Sequence, residues 1–221
     1  GSEIPTNTWE IYEVEISGNQ IKATVYDSSG NYITDTGWQT FDGLPTGTNT
    51  YAFALRCKPE SNVWIDKLEF YGAGGGETVL FSDDFEGSTK TTWYDTGDGG
   101  QAVYVTTEVA WSGSYSLKKP YDSGGPWAWQ YTLIDLPDSF KVRFAYRTDT
   151  NYYENRVYLL SSDLSTTYFM VAPSLYLDDY RSLWFYRDGT WTKVTFGSEI
   201  PTNTWEIYEV EISGNQIKAT V

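Results

Sequence analysis

Rings and cations recur at strand spacing in three runs of this sequence. Trp127, Trp129 and Tyr131 occupy alternate positions of one run. Tyr152, Arg156 and Tyr158 share the even positions of a second, and Trp184 and Tyr186 alternate with Leu183 and Phe185 in a third. In an extended chain alternate residues lie on one face, so each run turns its rings to one side. Flat rings stack on the apolar faces of pyranoses, and charged or amide groups beside them hydrogen-bond the hydroxyls. Brought together on one sheet, these residues would bind a polysaccharide.

Catalytic chemistry has less to work with. There is no histidine and only one cysteine, Cys57, in the strand-like run TYAFALRCKP. That removes His-based triads and leaves a carboxylate pair, of the kind glycosidases use, as the remaining option. The acidic stretch WEIYEVEI, residues 205–212, resembles the E-x-D-x-x-E strand of jelly-roll glycoside hydrolases, but Tyr208 stands where that family needs Asp. Strand alternation also sets Glu206 on the face opposite Glu209 and Glu211, so three carboxylates cannot meet one sugar. The chain is read as non-catalytic.

The elements that must position these residues are organised by a repeat. Residues 1–25, GSEIPTNTWEIYEVEISGNQIKATV, return without a change as residues 197–221, an offset of 196. Within each copy, alternation on both sides of Ser-Gly-Asn reads as a β-hairpin. Gly74-Gly75-Gly76 separates a run that reads as a last strand, residues 62–72, from one that reads as a first strand, residues 78–87. The natural domain frame is therefore expected to start near Glu77. Residues 77–221 supply its N-terminal part and residues 1–73 its C-terminal part, joined by the linker 74–76. Two origins fit: a tandem array of identical domains cut out of frame, and a circular permutant with a duplicated terminal segment.

Composition sets the class. Tyr, Trp, Phe, Thr and Val are abundant, as half-buried pleated surfaces prefer. No stretch sustains a helical period, and short alternating runs are separated by turn signals such as DTGDGG, DSGG and RDG. The expected fold is all-β: a two-sheet antiparallel jelly-roll sandwich with a duplicated terminal β-hairpin. Its interior should include Tyr12, Val14, Ile16, Phe140, Val142 and Phe144 or their equivalents one period on. The net charge of −15 disfavours nucleic acid and anionic membranes as partners. No apolar run approaches the ~20 residues of a membrane span, so no membrane insertion is expected.

The runs VLFSDDFEG, AWSGSYSLK and WIDKLEFYG resemble jelly-roll carbohydrate-binding and laminin-G-like modules, in the order those families carry them. In such folds the first and last strands are neighbours, often bridged by a structural calcium. The resemblance implies Asp66, Asp84 and Glu86 as its ligands. Calcium takes six to eight oxygens, so carboxylates from distant parts of the chain suit it. Two functions follow as expectations. The first is an extracellular or cell-surface structural link, self-assembling by exchange of the duplicated hairpin. The second is a carbohydrate-binding module that recognises a polysaccharide through surface aromatics.

Overall fold

A computed structural model describes residues 10–17, 20–27, 32–34, 39–58, 60–72, 78–96, 102–122, 128–150, 155–174, 182–195, 202–213 and 216–220. Every regular element among them is a strand. In chain order they are β1 (Glu10–Ser17), β2 (Gln20–Asp27), β3 (Tyr32–Thr34), β4 (Gln39–Thr40), β5 (Asn49–Cys57) and β6 (Val63–Gly72). Then come β7 (Val79–Asp83), β8 (Tyr94–Asp95), β9 (Tyr104–Thr106), β10 (Ser116–Lys119), β11 (Ala128–Leu136) and β12 (Phe140–Thr148). The last six are β13 (Asn155–Ser161), β14 (Thr167–Ser174), β15 (Ser182–Arg187), β16 (Thr190–Thr195), β17 (Glu206–Ser213) and β18 (Gln216–Thr220).

Two antiparallel sheets face each other as a sandwich. One runs β4-β18-β17-β12-β6-β10-β9, with β7 also on β6; the other runs β16-β15-β14-β13-β5-β11-β8. The chain passes between them repeatedly, on either side of β5, of β8, of β11 and of β12, and once more between β16 and β17. Strands β6 and β7, which flank the triglycine, pair with each other, and Gly72 N–H donates to Thr78 O at 2.9 Å. The glycines themselves lie outside the described residues. Along its second edge β6 serves two partners, β10 with its first residues and β7 with its last. A register shift against β12, with Lys67 at φ 48°, marks the handover.

The period of two in the sequence produces the core. In β12, Phe140, Val142, Phe144 and Tyr146 point inward, and Lys141, Arg143 and Arg147 alternate with them. In β5 the inward set is Tyr51, Phe53, Leu55 and Cys57. Phe53 sits edge-on to Phe70 at 5.7 Å and to Phe144 at 5.9 Å, so the two sheets are joined by interlocking rings. Each such burial contributes roughly 1.5–3 kcal/mol.

The duplicated segment is used unequally. The second copy forms β17–β18 and fills the place between β12 and β4, with Tyr208, Val210, Ile212 and Ile217 fully buried. Phe140, Val142 and Phe144 and these equivalents of Tyr12, Val14 and Ile16 lie in the core as expected. The first copy forms β1–β2 in the same hairpin register, joined by β3 in a separate three-stranded sheet.

Cys57 is buried in the core near Lys119, which donates to Lys58 O at 2.6 Å and Ser61 O at 2.9 Å. Burial pushes the Cys57 thiol up to about 12 against the weaker pull of Lys119, and burial likewise pushes the Tyr51 phenol up to about 12. Both groups resist ionisation in the fold. Their contribution is complete below the unfolded values of 9.0 and 10.0 and is lost as pH rises toward 12. The melting temperature should therefore fall across that alkaline window, and Cys57 should react with an alkylating reagent at pH 8 only after denaturation. Rapid labelling of the folded chain would contradict this.

Candidate functional site

On β5 the inward residues alternate with Ala52, Ala54 and Arg56, which face outward. The ladders carry that outward line across the whole seven-stranded sheet. Tyr94 pairs with Tyr131, Tyr131 with Ala54, Ala54 with Tyr158, Tyr158 with Met170, Met170 with Trp184, and Trp184 with Lys193. One row thus crosses every strand on the face opposite the core. A second row, Trp129-Arg56-Arg156, runs beside it.

Small side chains on the central strand let the flanking rings converge. Strands β11 and β13 lie on either side of β5, about 9–10 Å apart. The rings of Trp129 and Tyr158 nevertheless stack at 5.7 Å with 23° between planes. They close over β5, leaving Ala52 and Ala54 with no exposure. Arg56 lays its guanidinium 5.1 Å from the Trp129 ring centre, and Arg156 Nη1 donates to the Tyr158 hydroxyl at 2.9 Å. Farther along, Lys193 Nζ stands 5.5 Å over the Trp184 ring, whose Nε1 donates to Ser182 Oγ at 3.0 Å. Tyr94 and Tyr131 lie 5.4 Å apart, and Tyr186 and Trp191 4.4 Å apart.

Six of the eight aromatic and cationic residues singled out in the sequence therefore share this face: Trp129, Tyr131, Arg156, Tyr158, Trp184 and Tyr186. Trp127 and Tyr152 lie outside the described residues. Tyr158 is buried, so its ring supports Trp129 instead of offering a surface of its own. Tyr94, Arg56, Met170, Lys193 and Trp191 were not singled out. The alternation of TYAFALRC carried the signal for Arg56. Tyr94 sits in a strand of two residues, too short for any period. Among the described residues, the outward positions of these seven strands carry Arg56, Arg156 and Lys193 against Asp135 alone. On a chain of net charge −15 these strand positions carry a net positive charge.

The acidic residues form a different construction. Asp66 is buried; its Oδ1 accepts from Lys67 N–H at 2.7 Å, and its Oδ2 from Trp111 N–H at 2.8 Å and Ser112 N–H at 3.0 Å. Burial raises its pKa above the usual 3.8, and these N–H groups pull it back. Glu86 Oε1 accepts from Ser114 N–H at 2.9 Å and Tyr115 N–H at 3.1 Å. Two carboxylates thus clamp four backbone N–H groups of one loop, and the three motifs of the sequence meet there. Asp84 takes no part in it: its carboxylate is exposed and pairs with Lys90 at 3.6 Å. The buried acid of that turn is Asp83, which accepts from Phe85 N–H at 2.9 Å and Lys90 N–H at 2.6 Å.

Of the three acids implied as calcium ligands, Asp66 and Glu86 accept from backbone N–H groups and Asp84 pairs with Lys90. The oxygens of Asp66 already serve N–H donors, whose positive ends repel a cation. No group of three or more acidic, cysteine or histidine side chains suited to a metal occurs among the described residues. The acids of β17 are likewise apart, as alternation requires. Glu206 faces inward and accepts from the Tyr208 hydroxyl at 2.7 Å, while Glu209 faces outward, 3.4 Å from Lys141 Nζ.

Two expectations test the clamp. Gly113 has φ +73°, and a Cβ there would stand 2.2 Å from Glu86 Oε1. Gly113→Ala should cost about 1–2 kcal/mol for the left-handed backbone alone, and more for displacing Glu86. Glu86→Gln in the same background should recover little, because the backbone strain persists. Chelation by EDTA should leave the melting temperature unchanged, and a fall reversed by added calcium would restore the metal site.

Compared with known protein families, curated proteins and solved structures, the chain matches none.

Proposed function

We propose that the chain is a non-catalytic module that binds a polysaccharide on the outer face of its seven-stranded sheet. The observation behind this reading is the row that spans the sheet from Tyr94 to Lys193, with Trp129-Arg56-Arg156 beside it and guanidinium and ammonium groups set against the rings. Half-exposed Trp129, Tyr131 and Trp184 offer successive flat surfaces. A linear polymer lying across the strands would meet them in turn. Three cations against one anion favour a chain that carries carboxylates, such as a polyuronate, over a neutral glucan. A single long binding track also suits a polymer better than a small molecule, which needs an enclosing pocket.

A second reading, a structural link in an extracellular assembly, draws on the duplicated hairpin. Both readings dispense with catalysis. They also agree on an extracellular or cell-surface setting.

The test is affinity electrophoresis or calorimetry against polygalacturonate, alginate and neutral glucans. Trp129→Ala and Trp184→Ala should each weaken binding about ten-fold, or about 1–2 kcal/mol. Arg56→Ala should reduce the preference for acidic chains, and added salt should do the same. A folded protein that binds none of these polymers would sink the proposal.

A further inference from the structure

The sandwich has one place for the repeated hairpin and the chain holds two copies of it. The second copy occupies that place, between β12 and β4. The two short strands that follow the first copy are divided between the copies. Strand β3 pairs with β2 through Tyr32 opposite Tyr26 and Thr34 opposite Val25. Strand β4 pairs with β18 through Gln39 opposite Ile217 and Thr40 opposite Gln216.

With the offset of 196 removed, Ile217 and Gln216 are Ile21 and Gln20. The partners met from Tyr32 to Thr40 are then, in order, Tyr26, Val25, Ile21 and Gln20. The partners run in one antiparallel direction along a single hairpin, with a register shift between Tyr32 and Thr34 and a further one-residue offset before Gln39. The two copies also lie side by side, β1 along β17 and β2 along β18.

We infer that the place between β12 and β4 is a binding site for either copy, and that the first copy displaces the second within the same chain. The side chains presented to the site are identical, so packing favours neither. Anchors at the entrance do not discriminate either. Arg147 Nη1 donates to Asn203 O, and Asn203 N–H donates to Thr148 O at 2.8 Å; Asn203 lies inside the repeated segment and has Asn7 as its equivalent. Continuity does discriminate. With the first copy seated, β3 and β4 both pair with strand β2 of one hairpin, where they now pair with strands of two. A tethered segment acts at an effective concentration in the millimolar range, so in dilute solution the chain's own copy outcompetes that of a neighbour.

The experiment uses the full chain with Tyr208→Asp, which places a carboxylate at a fully buried core position of the seated copy. If the first copy takes its place, this variant melts cooperatively within a few degrees of the parent, and Tyr12→Asp does the same. The double variant Tyr12→Asp/Tyr208→Asp then loses cooperative melting. If Tyr208→Asp alone is as disrupted as the double variant, the inference is wrong. A disulfide provides the second readout. Lys141 pairs with Glu211, the equivalent of Glu15, so Glu15→Cys with Lys141→Cys, in the Tyr208→Asp background, should oxidise to a cross-linked monomer. A cross-linked dimer, or no cross-link while Glu211→Cys with Lys141→Cys forms one in the parent, overturns displacement within the chain.

Discussion

Strand β5 fixes what both faces of the seven-stranded sheet can be. It is hydrogen-bonded on both edges, to β11 and to β13, along nearly its full length. Its inward side is Tyr51, Phe53, Leu55 and Cys57, and Ala52, Ala54 and Arg56 face outward. A slip of one residue would drive Arg56 into the core and turn Phe53 to solvent, so the register is held by the cost of both errors together. Once that register is set, every outward residue of the neighbouring strands falls into line. The aromatic row is therefore a consequence of core packing as much as of anything on the surface.

The opposite sheet solves a different problem. Its strand β6 must serve β10 and β7 along one edge, and an unbroken pleat cannot do both. The shift at Lys67 releases the ladder there, and Asp66 uses the opening to hold a loop from below. A carboxylate with three N–H donors can sit in the interior without a cation because the donors compensate its charge. Burial still leaves its pKa raised, so the compensation is incomplete. The same logic governs Asp83, whose two oxygens satisfy the turn that carries buried Phe85 at φ 57°.

Local patterns in the sequence carried much of this. The period of two located the strands and the inward faces of β12 and β17, and it separated Glu206 from Glu209. It also placed Trp129 and Tyr131, and Trp184 and Tyr186, on common faces. Long-range pairing was not legible, because a strand's alternation does not say which strand lies beside it. Tyr94 joins the row only through pairing with Tyr131, and Met170 only through Tyr158 and Trp184. Motif resemblance pointed to Asp66, Asp84 and Glu86 but could not say which backbone N–H groups two of them meet, or that Asp83 and not Asp84 is the acid turned inward. Choice of the seated hairpin copy was also beyond reach, since identical residues carry identical patterns.

A row of half-exposed rings on an otherwise acidic molecule has a colloidal consequence. A net charge of −15 makes copies of the chain repel one another. That repulsion reaches about 8 Å at physiological ionic strength and about 3 Å in molar salt. It vanishes near the isoelectric point of about 4.2. In brine or in acid, then, the same surface becomes sticky toward itself.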